Sequence, residues 1–305
     1  MVQSALDPTS LPSAADPGTT SEAKRRGVIR TFVDHNKSGT IGFIMFFAIL
    51  LLAFVGPFLM PGDNRGDYRN VYAPPSMDHF LGTDYQGKDI WFQIVHGGRS
   101  ILLVAAGAAI LSTGISIIFG ALAALLGGRF DAFVLMFTDV VLTVPGIILL
   151  GVLAAFVRLN SPFLLVLILG LTGWPTLLLA VRAQVLSLKE REYIEAARML
   201  DLGLPRILFR EVLPNMMSYI VINFVLGMTS AIYGQVILYF LGLVSLAGNN
   251  WGLMIQQAYV QGAHFFKDSF LYIFAPIFVI TVLQLSLVLI SRALEDVFNP
   301  RLRES

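Results

Sequence analysis

The sequence predicts an all-α, polytopic membrane protein with six transmembrane helices, and three observations predict it. First, the 305 residues are 56% apolar and only 13% charged, with a mean hydropathy of +0.73; soluble domains carry about 25% charged residues. Second, six stretches each supply the ~20 apolar residues needed to cross a hydrocarbon core at 1.5 Å rise per residue. Third, charge is excluded from them. Asp139 is the one charged residue within the six. The absence of cysteine removes disulfides and thiolate metal sites, and no basic-aromatic stripe points to nucleic acid.

Residues 1–37 open the chain as a tail rich in Ser, Thr, Ala, Pro and Asp. The tail lacks the basic-apolar-small order of a cleaved signal and reads as disordered. The first span is 41–60, followed by 100–127, 132–157, 162–181, 215–243 and 269–291. Organisation follows from these: a tail over 1–37, the first helix with its long loop over 38–99, a helical core over 100–296, and a short tail over 297–305. Placing the N-terminus in the cytoplasm puts fifteen of the 21 basic residues on the inner side. Basic residues are retained on that side, so both termini are expected to be cytoplasmic.

In the outer segment, Leu81-Gly82-Thr83-Asp84-Tyr85-Gln86-Gly87-Lys88-Asp89 has the glycines and aspartates of tight, side-chain-bonded turns. Asp89 is placed to cap a helix whose Ile90, Trp91, Ile94 and Val95 are expected at the membrane surface. A calcium site at Asp84 and Asp89 is the rival reading. In the second span Ala108, Ser112, Ser116, Gly120, Ala124 and Gly128 recur every four residues, a stripe that lets another helix approach closely. Its partner is expected within this chain.

The third span holds Asp139 and then Pro145-Gly146, a kink. A carboxylate in the bilayer costs about 2.5–3.5 kcal/mol on insertion scales, so it needs a partner. The expected one is Arg182, near the inner end of the fourth span. In the fifth span the polar residues Asn223, Thr229, Ser230, Tyr233 and Gln235 are candidates for a solute path, with interhelical hydrogen bonding as the alternative. Trp251, Gln256, Gln257, Tyr259 and Gln261 suggest an interfacial helix on the outer side.

Between the fourth and fifth spans, residues 189–207 form a short charged helix on the inner side. Tyr193, Ala196, Ala197 and Leu200 share one face at helical spacing, and the two alanines leave a notch. This helix is built to dock on another surface. The expected contact residues are Glu195, Ala196, Ala197, Leu200 and Gly203, rimmed by Glu192, Arg198 and Arg206.

Glu195-Ala196-Ala197, with Leu213-Pro214 downstream, resembles the coupling motif of bacterial ABC importer permeases. The run Gly82-Thr83-Asp84…Gly87-Lys88-Asp89 resembles the signature of the dipeptide, oligopeptide and nickel permeases, with Lys88 in place of the usual Arg. Phe240-Leu241-Gly242-Leu243, Trp251-Gly252-Leu253-Met254 and Asp296…Asn299-Pro300-Arg301 are similar to further elements of that subfamily, closest to its C-type subunits. The likeness covers about residues 38–303. Asp201 stands where the family usually has Gly, and Gln235 where it often has Glu.

The resemblance implies a type I ABC importer permease fold in the bacterial cytoplasmic membrane. It also implies a second homologous permease subunit as heterodimer partner, two ATPase subunits or one dual ATPase chain, and an external substrate-binding protein. ATP and Mg would be bound by the partners and no cofactor by this chain. Peptides are the expected solute, nickel the alternative. A self-contained secondary transporter or channel is the reading from another class; Asp139 alone supports it. No phosphate-cradling Gly-x-x-x-x-Gly-Lys-Ser/Thr run, serine-nucleophile elbow or zinc motif occurs, so no enzyme is expected in this chain.

Overall fold

A computed structural model describes residues 36–62, 64–245, 248–265 and 269–298. The tail expected over 1–37 therefore lies almost wholly outside the described residues, as does most of 297–305. The described chain is helical, and its helices account for six membrane crossings if each bent pair counts as one.

Helix α1 spans Lys37–Phe54. Asn36 caps it, accepting from the Gly39 N–H at 2.8 Å. The long loop 61–89 leads to α2, Ile90–Leu126, a single 37-residue helix. At 1.5 Å per residue α2 is about 55 Å long, well beyond a bilayer core. The third crossing is α3, Gly128–Thr143, and α4, Gly146–Phe156, bent by 88° at the break. The fourth is α5, Pro162–Gly173, and α6, Pro175–Lys189, bent by 50°. Helix α7, Glu192–Met199, is the short charged helix expected over 189–207, but only eight residues long: Lys189 ends α6 and Leu204–Arg206 is a separate turn. The chain then turns helical at Leu204–Arg206, passes through a π-turn, Ile207–Val212, and a 3₁₀ turn, Pro214–Met216, into α8, Met217–Phe240. Helices α9, Trp251–Val260, and α10, Phe270–Phe298, complete the fold.

The proline breaks have local causes. Pro145 offers no N–H, and its fixed φ starts α4 afresh after an extended Val144. The bend is far sharper than a simple kink. At the second break Pro175 leaves the Leu171 carbonyl without its helical donor, and the Trp174 indole N–H fills the gap at 2.9 Å. Pro214 does not interrupt the chain's helical course. The π-turn absorbs it, with the Leu213 N–H reaching back to the Leu208 carbonyl at 2.9 Å. The Asn215 side chain donates to the Glu211 carbonyl.

Helix α2 is the central mast. Its stripe packs within the chain, as expected, over Ala108, Ser112, Ser116, Gly120 and Ala124, all buried; Gly128, the last of the expected repeat, instead begins α3 and is exposed. A Cβ added at Gly120 would come within 2.8 Å of the Leu178 carbonyl of α6. The Ser116 hydroxyl donates to the Trp174 carbonyl at 2.9 Å, bracing the α5–α6 break directly. At the loop end of α2, Gly97 and Gly98 make room for the ring of Trp251, whose indole N–H donates to the Ile94 carbonyl at 2.8 Å.

Two expectations fail here. Trp251 is fully buried rather than interfacial; Tyr259, near the end of α9, and Gln261, just past it, are exposed. Likewise Ile90, Ile94 and Val95 lie in the core instead of at a membrane surface, because α2 runs unbroken through the loop end and α9 and α10 pack there. Glycines also seat α1: a Cβ at Gly39 or Gly42 would clash with Ala293 or Leu289 of α10.

Gly120→Leu is expected to destabilise the chain by about 1–3 kcal/mol through overpacking against backbone. Gly151→Leu, where an added Cβ meets nothing within 4 Å, should cause no comparable loss. Melting temperatures of the detergent-solubilised variants decide it.

Candidate functional site

Three features bear on function: the short helix α7, the loop ahead of α2, and a cavity between the helices.

Helix α7 sits on a core of its own. Ile194 is fully buried and Ala197 nearly so, against Ala121 and Ala124 of α2, Val185 of α6, and Ile207, Leu208 and Val212 of the π-turn region. Glu192 and Glu195 occupy its first turn, where carboxylates suit the helix dipole. The helix ends with Asp201 in the left-handed region at φ 53° and the Leu202 N–H bonded to the Ala197 carbonyl at 3.1 Å. This is the closing geometry that glycine usually provides. Asp201 adopts it with its own Cβ in place.

The outward surface differs from the expected one. Ala197 packs inward on its own chain and cannot line a partner contact, because the buried stripe of α7 is Ile194–Ala197 rather than the opposite face. Glu192, Glu195, Leu200, Gly203 and Arg206 are exposed as expected. Ala196 and Arg198 lie in the helix, but their side chains fall outside the described residues. Sequence reasoning missed Met199 and Phe209. Met199 is 83% and Leu200 73% exposed at the end of α7, so apolar side chains tip a charged helix, and Phe209 of the π-turn is 62% exposed. Ile194 and Ala197, three apart, were the signal for the inward face.

Beneath α7, Arg182 of α6 grips Asp131 of α3 with two bonds, Nε to Oδ1 at 2.5 Å and Nη2 to Oδ2 at 2.6 Å. The expected Asp139–Arg182 pair is therefore wrong. Asp131, about 12 Å earlier along α3 at 1.5 Å per residue, lies level with the guanidinium, and Asp139 is exposed. Lys189 adds a second tie, donating to the Ala124 carbonyl near the end of α2 at 3.1 Å.

The loop is held by Asp84, whose side chain is buried. Its Oδ1 accepts from the N–H groups of Gln86 and Lys88 at 2.7 and 2.9 Å, and its Oδ2 accepts from Gln93 Nε2 at 2.9 Å. Asp89 caps α2 through the Phe92 N–H at 2.8 Å, and its other oxygen meets His79 Nδ1 at 2.8 Å. Both carboxylates are thus engaged by N–H groups or an imidazole, which favours a bonded turn over a calcium site. Thr83 accepts from the Ala73 N–H and donates to the Asn70 carbonyl. Gly82 and Gly87 take φ of 75° and 73°, and a Cβ at either would strike a neighbouring carbonyl. Burial, reinforced by the Asp84 carboxylate, raises the pKa of Tyr72 and Tyr85 beside it.

A cavity of about 330 Å³ lies among α2, α4, α5, α6 and α8, within the size range of small-ligand sites. Ser112, Thr172, Thr176, Asn223 and Ser230 supply its polar lining, with Gly146, Gly173, Gly227 and Gly234 giving the space. Of the path candidates, Asn223 and Ser230 reach it. Thr229 does not line it: its hydroxyl donates to the Val225 carbonyl at 3.2 Å, and its own carbonyl accepts from Gln284 of α10 at 3.2 Å. Tyr233 points outward, and Gln235 is buried off the cavity with neither amide atom bonded.

The sequence model described as the binding-protein-dependent transport system inner membrane component matches residues 116–304. The chain belongs to that family. A second model, the N-terminal TM domain of oligopeptide transport permease C, matches residues 28–75, so the Asp84 loop falls between the two. The oligopeptide transport system permease protein OppC of Bacillus subtilis is 30% identical over 280 residues, covering 88% of this chain and 87% of that one. The dipeptide transport system permease protein DppC of the same organism is 30% identical over 274 residues, covering 88% and 83%. A peptide permease protein of Brucella suis is 33% identical over 270 residues, covering 87% and 88%. Family membership makes the chain a multi-pass membrane permease component.

Two results are expected. Asp131→Arg and Arg182→Asp should each cost roughly 2 kcal/mol by stranding a charge-bonded partner, and the double exchange should recover much of it; reversal at Asp139 should not couple to Arg182. Asp201→Gly should raise stability by about 1 kcal/mol by relieving left-handed backbone, with Asp201→Val lowering it. Thermal unfolding of the purified variants reads both.

Proposed function

We propose that this chain is the C-type permease subunit of an ATP-driven importer that carries di- or oligopeptides across the bacterial cytoplasmic membrane. The observation that carries this reading is α7: an exposed, apolar-tipped helix rooted in a core shared with α2, α6 and the π-turn region. A push on Met199 and Leu200 is delivered to the helices that line the cavity, which suits a lever driven by nucleotide-binding partners. The partners are two ATPase subunits or one dual chain, which bind ATP and Mg. Glu192, Glu195, Leu200, Gly203 and Arg206 form the docking rim, and Ala196 and Arg198 belong to the same helix.

Peptide as solute is supported by the names of the relatives, which include an oligopeptide and a dipeptide transport permease. A second permease subunit completes the path, with Asn223 and Ser230 on this chain's share of it. An external binding protein delivers the solute. The basic-residue bias supports cytoplasmic termini, with α7 on the cytoplasmic side and the Gly82–Asp89 loop outside.

The test is uptake of a radiolabelled tripeptide by vesicles holding the whole importer. Import is expected to require ATP, to stop when the ATPase's catalytic carboxylate is removed, and to be indifferent to excess nickel ion. Uptake by this chain alone would refute the reading, and nickel transport in place of peptide would replace the solute. Met199→Asp with Leu200→Asp should lower import by about tenfold or more while the chain still inserts and binds its partner permease.

A further inference from the structure

The carboxylate inside the membrane crossings points away from its own chain. Asp139 lies about 16 Å along α3 from Gly128 at 1.5 Å per residue, close to half the ~30 Å hydrocarbon thickness. Its side chain is exposed, and among the described residues no cation or hydrogen-bond donor engages its carboxylate. Arg182 is paired instead with Asp131 through Nε and Nη2. The side chains around it on the same face are large, apolar and exposed: Phe133, Met136 and Val140.

Just beyond, α3 stops. Pro145 offers no N–H to the Val141 carbonyl four residues back. The Thr143 hydroxyl folds onto the carbonyls of Asp139 and Val140 at 3.0 and 2.6 Å, leaving Val141 unaided by it. Lipid can satisfy neither a carboxylate nor a free carbonyl. The face must therefore meet water or another protein. A water-lined path would be edged by polar groups, as the cavity is; apart from Thr143, whose hydroxyl is turned onto its own helix, this face is edged by Phe, Met and Val.

We propose that this face of α3, centred on Asp139, is the contact surface for the second permease chain, and that the partner presents a basic or hydrogen-bond-donating side chain to Asp139. The inference rests on the two-permease assembly proposed above and adds the surface and its charge. It also gives Asp139 a role that Arg182 does not fill. Such a buried pairing would specify register between two otherwise apolar faces.

Because the chain contains no cysteine, Met136→Cys and Val140→Cys each give one labelling site in this chain while leaving Asp139 in place. In the assembled, reconstituted importer a spin label at either position is expected to be shielded from molecular oxygen and from a water-soluble nickel chelate alike. Oxygen access at the bulk-lipid level would put the face in lipid, and chelate access would put it in the solute path; either overturns the proposal. Asp139→Lys should lower recovery of the second chain by about tenfold, normalised to inserted chain, with Asp139→Asn close to the parent. Lysine tolerated as well as asparagine would remove the charge recognition. A transport-competent complex with no second permease chain, by quantitative mass spectrometry, would instead bring down the assembly reading itself. The accessibility data tell that failure apart.

Discussion

The structure depends on how closely other helices come to the backbone of α2. In a bilayer no hydrophobic gradient draws helices together, so packing and internal hydrogen bonds carry the association. The four-residue repeat of small side chains from Ala108 to Ala124 removes the bulk that would hold neighbours off. Through that stripe the Leu178 carbonyl of α6 approaches Gly120, and Ser116 reaches the Trp174 carbonyl. At the other end of α2 the same device, Gly97 and Gly98, seats Trp251. One long helix with two shaved surfaces thus orders both ends of the bundle.

Broken helices are tolerated around that mast because most of their freed groups are met locally. Trp174 repairs the gap left by Pro175, and the π-turn together with Asn215 carries the chain past Pro214. The breaks have a spatial result: the α3–α4 elbow and the α5–α6 bend open the cavity bounded by α2 and α8. Irregular backbone at membrane depth is admissible where it lines a cavity or is covered by protein. The elbow at Pro145 satisfies the first condition on one side and calls for the second on the other.

Attachment and exposure are separated in this arrangement. Helix α7 gives its inner stripe to the chain's own core and keeps its tip exposed, so its attachment leaves the outer surface uncovered. The Arg182–Asp131 clamp and the Lys189 bond to the end of α2 stiffen the ground on which α7 stands. A displacement at Leu200 has few soft elements to spend itself on before it reaches α2 and α6. At the opposite end, Asp84 and Asp89 build a bonded collar from which α2 starts, its first turns buried against α9 and α10.

The sequence by itself determined the helical, membrane-spanning class, six apolar segments, the α7 helix, the Asp89 cap, the stripe on α2 and the break at Pro145. Each of these follows from composition or from contacts within a few residues, where helical periodicity and proline's missing N–H act locally. The tertiary structure alone decided that Arg182 takes Asp131 rather than Asp139, that Ala197 turns inward while Met199 and Phe209 turn out, and that Trp251 is buried. It also decided that Asn223 and Ser230 share a cavity that Tyr233 and Gln235 do not reach. Those choices turn on the angles between helices, 88° at one break and 50° at another, and on which faces close approach to α2 leaves uncovered. A periodic pattern names the residues of a face; only the packed partners say which way the face looks.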